Sequence, residues 1–475
     1  MRFPSSLLIV VICTTFVQIC MCSEANRIQS LPGQPQVGFQ QHAGYITVDE
    51  YQQRALFYYL VETETEPASK PLLLWFNGGP GCSSVGVGAF QEHGPFRPSN
   101  GGSLIRNHYS WNNEANVLYV ESPAGVGFSY SANTSFYKNV NDTITAQDNL
   151  MFLHNWFVEY PQYKGRDFYI SGESYAGHYV PQLAQLILLS GSNFNLKGIA
   201  IGNPLVEFER DINSQALFLW SHGLISDDTY KLTEATCNMS QMWREDILFY
   251  PNITATCTRI ENLIGNETSN DYDNYDVLVD ICLSNGDSQV LARNQPLKVN
   301  SRRLSSLQSS QENPQPASQN IDPCVGIKTY EYLNRKEVQE ALHAKLNGVG
   351  NWTTCTSVAS YDFTNLFIPT IHVVGYLVRS GIRVLVYSGD QDSVIPFMAT
   401  RSDVHDLAKA MGLNTTSPYR AWYMDKQVAG WTQVYNNILT YATIRGGSHM
   451  APWSSPGRSL ALIKAFLAGK PLPEA

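Results

Sequence analysis

Gly172-Glu173-Ser174-Tyr175-Ala176-Gly177 follows a short apolar run, Asp167 to Ser171, and sets a serine between small residues. A serine hydroxyl becomes an effective nucleophile when a sharp strand-to-helix turn presents it, and the crowding of such a turn demands small residues two positions to either side. Gly172 and Ala176 meet that demand, with Ala where Gly is more usual. The nucleophile needs a base to take its proton and an acid to orient the base, so the implied chemistry is acyl transfer. Glu173 is the odd neighbour, because a nucleophile gains nothing from a second negative charge beside it.

When a serine stands on this kind of elbow, the acid and then the histidine follow it in the chain, each on a loop after a later strand. The strand-like run Arg383 to Ser388 leads into Gly389-Asp390-Gln391-Asp392-Ser393, and Leu439 to Arg445 leads into Gly446-Gly447-Ser448-His449-Met450. His449 pairs a loop with a late strand; His178 reads as packing on the elbow helix and His405 as a surface residue of a charged helix. Spacing does not choose between Asp390 and Asp392. Upstream, Asn77-Gly78-Gly79-Pro80-Gly81-Cys82-Ser83-Ser84 follows the strand ending at Trp75-Phe76, and its glycines let backbone N–H groups approach a developing oxyanion.

These loops need a scaffold of buried strands. Tyr45 to Asp49, Ala55 to Val61, Pro71 to Phe76, Asn116 to Val120, Asp167 to Ser171, Leu196 to Ile201, Arg383 to Ser388 and Leu439 to Arg445 are apolar runs bounded by turn residues. Helical patterns intervene at Ala146 to Glu159 and Tyr179 to Leu189. Such alternation predicts an α/β fold, a mostly parallel sheet with helices on both faces, and the first two runs predict an antiparallel hairpin at its edge. The alternation fails from Pro204 to Asn320, which reads as an inserted cap. Within it, residues 291–320 are rich in Ser, Gln and Asn and carry Arg302-Arg303, the composition of a disordered loop or a basic processing linker. The expected division is a signal peptide at 1–22, a first core part at 23–203, the cap at 204–320 and a second core part at 321–475.

The chain has 475 residues, a formal charge of −9 and no basic block, which argues against nucleic acid as a partner. Leu7 to Met21 has the length of a signal-peptide core rather than a membrane span. With Cys13, Cys20 and Cys22 in or at the edge of the expected signal, six cysteines remain, Cys82, Cys237, Cys257, Cys282, Cys324 and Cys355; without Cys-x-x-Cys or a histidine at zinc spacing they predict disulfides and no metal. Sequons at Asn133, Asn141, Asn238, Asn252, Asn266, Asn351 and Asn414 agree with a secretory route, secreted or vacuolar, and with no membrane attachment once the signal is removed. No cofactor is implied, and oligomeric state is left open, a homodimer included.

Trp75 to Ser84, the run Glu121-Ser122-Pro123-Ala124-Gly125-Val126-Gly127-Phe128-Ser129-Tyr130, the Ser174 elbow and the Asp392 and His449 loops together resemble the serine carboxypeptidases, especially the plant serine-carboxypeptidase-like group. The resemblance runs from about Phe39 to the C-terminus and implies an α/β-hydrolase fold and release of C-terminal residues from peptides or proteins at acid pH. It implies Ser174 as nucleophile, His449 as base, Asp392 as acid, and the amides of Gly79 and Tyr175 as oxyanion hole. Asn77, Glu92 and Glu173, supported by Trp75, would hold the substrate carboxylate through a shared proton, which accounts for the carboxylate beside the serine. Implied disulfides are Cys82 with Cys355, Cys237 with Cys257, and Cys282 with Cys324. Met450-Ala451-Pro452 departs from the acidic residue that many relatives carry after the histidine, so the adjoining pocket is expected to differ. Two rival readings are a glucose-ester-dependent acyltransferase on the same scaffold, which the retained Glu173 and Ala176 disfavour, and a catalytically inactive binding protein.

Overall fold

The computed structural model describes residues 25–248, 255–269, 272–283, 321–346 and 350–475. The expected signal peptide, the 291–320 linker with Arg302-Arg303, and the Asn252 sequon lie outside the described residues.

In chain order the strands are β1 (Gln41–Asp49), β2 (Arg54–Val61), β3 (Leu72–Phe76), β4 (Phe96–Pro98), β5 (Leu104–Arg106), β6 (Asn116–Val120), β7 (Tyr130–Ser131), β8 (Phe168–Glu173), β9 (Leu196–Gly202), β10 (Arg383–Gly389), β11 (Thr415–Met424), β12 (Gln427–Tyr435) and β13 (Leu439–Ile444). Eleven of them form one sheet in the order β1-β2-β6-β3-β8-β9-β10-β13-β12-β11, with β7 paired to β2; β4 and β5 form a separate ribbon. From β6 through β13 the neighbours are parallel. The flanks β1-β2-β6 and β13-β12-β11 are antiparallel.

The parallel strands are apolar on both faces because both faces are covered. In β3, Leu72, Leu74 and Phe76 join a core with Phe152 and Val180, which belong to helices α1 (Asp142–Glu159) and α2 (Ala176–Leu189). The alternate residues Leu73 and Trp75 join a second core with Leu462 and Ile463 of the C-terminal helix Pro456–Leu467. Every side chain of β3 is buried, and each contributes about 1.5–3 kcal/mol by leaving water. Asn141 caps α1 by accepting the Ile144 N–H (3.0 Å). Helix α2 tolerates Pro181 because the Gly177 carbonyl, which a residue with an N–H would have engaged, accepts the Thr370 hydroxyl (2.8 Å) instead.

Register aligns the C-terminal ends of the central strands. Phe76 stands opposite Gly172, Glu173 opposite Gly202, Gly202 opposite Tyr387, and Gly389 opposite Ile444. The loops after β3, β6, β8, β9, β10 and β13 therefore open on one edge of the sheet, where ligands of parallel sheets bind.

The β1–β2 hairpin and the central strands stand where the apolar runs predicted them, and the elbow helix begins at Ala176 rather than near Tyr179. The β11–β12 hairpin was not anticipated: its outer strand Thr415–Met424 is mostly exposed or half-buried, so no apolar run marks it. Between residues 204 and 283 the described elements are helices, from Phe208–Asn213 to Ala255–Glu267. Disulfides join Cys82 to Cys355, Cys237 to Cys257, and Cys282 to Cys324.

Candidate active site

Ser174 is the hinge between β8 and α2 and takes φ +61°, the left-handed conformation that a sharp turn imposes. Its own N–H donates to the Gly202 carbonyl at the end of β9 (3.0 Å). The turn is as crowded as its small residues imply: a Cβ on Gly172 would lie 2.4 Å from the Phe76 carbonyl oxygen and 2.6 Å from the Ala176 Cβ. Gly78 has the same reason to lack a side chain, since its Cβ would lie 2.4 Å from the Tyr175 N and 2.9 Å from the Ser174 Cβ. Thus the glycine loop after β3 lies directly against the elbow. Gly79, at φ +115°, continues that loop past the Cys82 N, and the Cys82–Cys355 disulfide closes it.

Asp392 and His449 meet at the ends of β10 and β13, with 2.7 Å between the His449 Nδ1 and the Asp392 Oδ2. Asp392 is fully buried, and it also accepts the Asn203 Nδ2–H on Oδ2 (2.8 Å) and the Val394 N–H on Oδ1 (2.8 Å). Its neighbour Asp390 faces elsewhere, its Oδ1 receiving the Gly446 N–H (2.7 Å) and the Gln391 amide (3.0 Å). The geometry therefore distinguishes two aspartates that spacing could not. Among the described residues Ser174 Oγ is not hydrogen-bonded to His449, and such bonds often tighten only with substrate in place.

Beside the serine lies a second constellation. Trp75 Nε1–H donates to Asn77 Oδ1 (2.7 Å), which directs the Asn77 amide nitrogen at two carboxyls, Glu92 Oε1 (2.9 Å) and Glu173 Oε1 (2.9 Å). The Asn77 backbone N–H is held by Ser84 Oγ (3.0 Å). Glu173 is the last residue of β8; Glu92 ends a π-helix, Ser84–Glu92, that follows the glycine loop. Both carboxyls are buried and lie close enough for a proton to be shared between them, and neither Oε2 meets a hydrogen-bonding group of any other described residue. Burial raises both from the ordinary glutamate range, and for Glu173 the charge of Glu92 adds to the effect. Two carboxyls in this position retain a proton well above the pH at which an exposed glutamate releases it. Trp75 is fixed by His93, whose ring packs edge-on at 4.2 Å and stacks on Trp111 at 4.0 Å; burial holds His93 well below the usual imidazole range, hence neutral.

His178 stacks on Tyr175 (4.5 Å) and contacts Asp142 through Nδ1 (2.8 Å), a packing role. His405 is exposed on its helix. Four contributors to the site went unread in the sequence. Asn203 orients Asp392. Tyr275, from the 204–283 region, accepts the His449 N–H at its carbonyl (2.7 Å) and packs its ring edge-on against the imidazole (4.9 Å). Ser84 and His93 complete the set. Only the position of Ser84 beside the glycine loop was a usable signal; the others act across long sequence separations.

An elbow serine, a histidine–carboxylate pair on later loops and a parallel sheet define an α/β-hydrolase of the serine-nucleophile type. A family model described as serine carboxypeptidase matches residues 32–469. The chain belongs to the serine carboxypeptidase family, a group of serine-type carboxypeptidase hydrolases. It is 52% identical over 477 residues to serine carboxypeptidase-like 46 of Arabidopsis thaliana, covering 100% of this chain and 98% of that protein. It is 40% identical over 488 residues to serine carboxypeptidase 24 of the same plant, covering 99% and 98%. The fold is also that of a crystal structure of a prohormone-processing carboxypeptidase from Saccharomyces cerevisiae, with TM-score 0.73 and 22% identity over 94% of this chain and 96% of that one.

Proposed function

We propose that the protein releases C-terminal amino acids from peptides and proteins through an acyl-enzyme on Ser174, most actively at acid pH. The observation that carries this reading is the Asn77-bridged pair of Glu92 and Glu173 immediately beside the elbow. A free C-terminal carboxylate carries an acceptor-only end group, and a carboxyl that keeps its proton can donate to it. The two Oε2 atoms are the groups available for that donation, and Trp75 and Asn77 hold them in place. In an endopeptidase or esterase, the same buried carboxyls would have no ligand to offset their burial.

Bound in this way, the last peptide bond lies over Ser174. His449 Nε2, oriented by the Asp392 contact at Nδ1, takes the Ser174 proton as Oγ attacks the carbonyl carbon. The amides of Gly79 and Tyr175 stabilise the resulting oxyanion, and the proton passes from His449 to the leaving amino group. Water repeats the sequence in reverse on the acyl-enzyme, freeing Ser174. The described residues between 204 and 283 act as a cap, since Tyr275 reaches His449 from among them, and the described residues before 204 and after 321 supply the sheet. We place the enzyme in the secretory pathway, consistent with three disulfides and with exposed sequons at Asn133, Asn238, Asn266, Asn351 and Asn414. Asn141 is half-buried and caps α1, and is the least suited to glycosylation. Among the described residues no helix is long and apolar enough to cross a membrane.

Mass spectrometry of peptides with free or amidated C-termini, alongside a glucose-ester acyl donor with an alcohol acceptor, tests the reading. Stepwise loss of C-terminal residues from free-acid peptides, abolished in Ser174→Ala, is expected. Acyl transfer from the glucose ester without peptide cleavage would establish the acyltransferase instead. Absence of labelling by a fluorophosphonate probe would favour a non-catalytic protein.

A further inference from the structure

Glu121 is wholly buried and takes part in neither the histidine–aspartate pair nor the carboxylate pair. It directly follows β6, whose C-terminal end lies beside that of β3. Its carboxylate gathers three segments that are far apart in the chain: it accepts the Ser83 hydroxyl, the Phe128 N–H (2.6 Å) and the Trp352 Nε1–H (3.2 Å). All three donors are neutral. Burial pushes the carboxyl up to about 7, with these hydrogen bonds opposing the rise.

Each donor belongs to the frame of the site. Ser83 adjoins the disulfide-bonded Cys82, donates its N–H to the Thr354 carbonyl (2.8 Å), and accepts the Gly86 N–H on Oγ (2.8 Å), capping the helix that carries Glu92. Trp352 stands three residues before Cys355, the other half of that disulfide. Space is reserved for this arrangement: a Cβ on Gly127 would lie 1.9 Å from Glu121 Oε1, and one on Gly86 would lie 2.1 Å from the Trp352 ring. A buried carboxyl without a cation is costly where packing alone is needed, since an apolar side chain of similar size would fill the space.

We infer that Glu121 is a positioning residue for catalysis, fixing Ser83 against Trp352 so that the Gly78–Cys82 loop and the helix bearing Glu92 keep their places relative to Ser174. This deepens the carboxypeptidase reading and rests on it for the roles of Gly79 and Glu92.

Three variants test it: Glu121→Ala, Glu121→Gln and Trp352→Phe. Readouts are kcat/KM on a free-acid peptide, inhibition by a peptide boronic acid, the rate of fluorophosphonate labelling and thermal midpoint. A displaced oxyanion amide costs less than a deleted one, so Glu121→Ala is expected to lose about 10- to 100-fold in kcat/KM, with boronate affinity and labelling rate falling in parallel. Glu121→Gln should recover only part of this loss: its amide can donate to Ser83 Oγ while its oxygen accepts the Phe128 N–H, but the Trp352 Nε1–H, which shares Oε1 with Ser83, is left without an acceptor. A purely structural residue would lower the midpoint but leave the rate per labelled serine unchanged; that result, or a Gln variant no better than Ala, overturns the inference. If Glu121→Ala does not fold, Trp352→Phe removes one hydrogen bond and keeps an aromatic ring; wild-type rates there would also overturn it. Should wild-type protein label with the probe yet cleave no peptide, the carboxypeptidase reading fails, and the labelling rates still decide the role of Glu121.

Discussion

Substituting Glu173 by Gln should change how peptide cleavage depends on pH more than it changes the chemistry at Ser174. In the wild-type site Glu173 and Glu92 are buried together under one Asn77 amide, and burial pushes the Glu92 carboxyl up to about 7 and Glu173 well above its ordinary range. The free enzyme therefore keeps protons on the pair through the acid range and begins to lose them towards neutrality, where Glu92 releases its own and the charge it gains holds the Glu173 proton in place. A substrate carboxylate binds only while those protons remain, so kcat/KM for free-acid peptides should fall about tenfold per pH unit above the pair's pKa. His449 must be neutral to act as base, which alone makes activity rise with pH. Peptides with free carboxylates should thus show a bell with an acid optimum, whereas C-terminal amides and esters should stay active towards neutrality. In Glu173→Gln the amide donates a hydrogen bond at every pH. The variant exchanges a carboxyl donor for a weaker amide donor in acid, a difference of about 1 kcal/mol, or roughly fivefold in peptide kcat/KM. The fall towards pH 8 should weaken, the part that Glu92 contributes remaining, with amide or ester turnover little changed. Steady-state kinetics on paired free-acid and amidated peptides from pH 4 to 8 measures both effects. Superimposable pH profiles for the two end groups would refute the shared-proton account of Glu173.

Removing Ser174 or His449 as Ala should reduce turnover by several orders of magnitude, because the groups act as one unit; Asp392→Asn should do likewise, while Asp390→Asn, whose native carboxyl holds Gly446 rather than His449, should cost far less, as stopped assays would show. Stability should also depend on the Glu92 carboxyl: its native pKa is raised from 4.5 to about 7, so its contribution is complete below about 4.5 and is lost as pH rises through about 7. Glu92→Gln should flatten the fall in thermal midpoint between pH 5 and 8. The mature protein should contain no reactive thiol by thiol titration, and Cys355→Ser, which opens a loop spanning 273 residues, should destabilise by about 5 kcal/mol and slow catalysis by freeing the glycine loop.

Local crowding made the elbow legible. Gly172, Ala176 and Gly78 are small because backbone atoms occupy the space a side chain would need, and that steric demand leaves its mark in adjacent residues of the sequence. The central strands were legible for a similar reason, since a strand covered on both faces becomes a continuous apolar run, as in Leu72 to Phe76. The β11–β12 hairpin at the sheet edge carries no such mark because much of it faces water. Chain order pointed to His449 but left Asp390 and Asp392 equivalent, because both lie on the same turn; only the direction of each carboxyl in space separates them. The pairing of Glu92 with Glu173, 81 positions apart, reached the sequence reading through resemblance alone. Asn203 behind Asp392 and Tyr275 against His449 had no sequence signal, and Glu121 stood in the resembling run Glu121 to Tyr130 without a role, because hydrogen bonds to distant partners impose no periodicity and no local composition. The sequence by itself determined the scaffold type and singled out the candidate nucleophile and base, since each depends on neighbouring residues or on strand-length patterns. The tertiary structure alone decided which acid orients the base and which buried carboxyls keep a proton, since those depend on distances and solvent exclusion that arise only when the strand ends are brought into register.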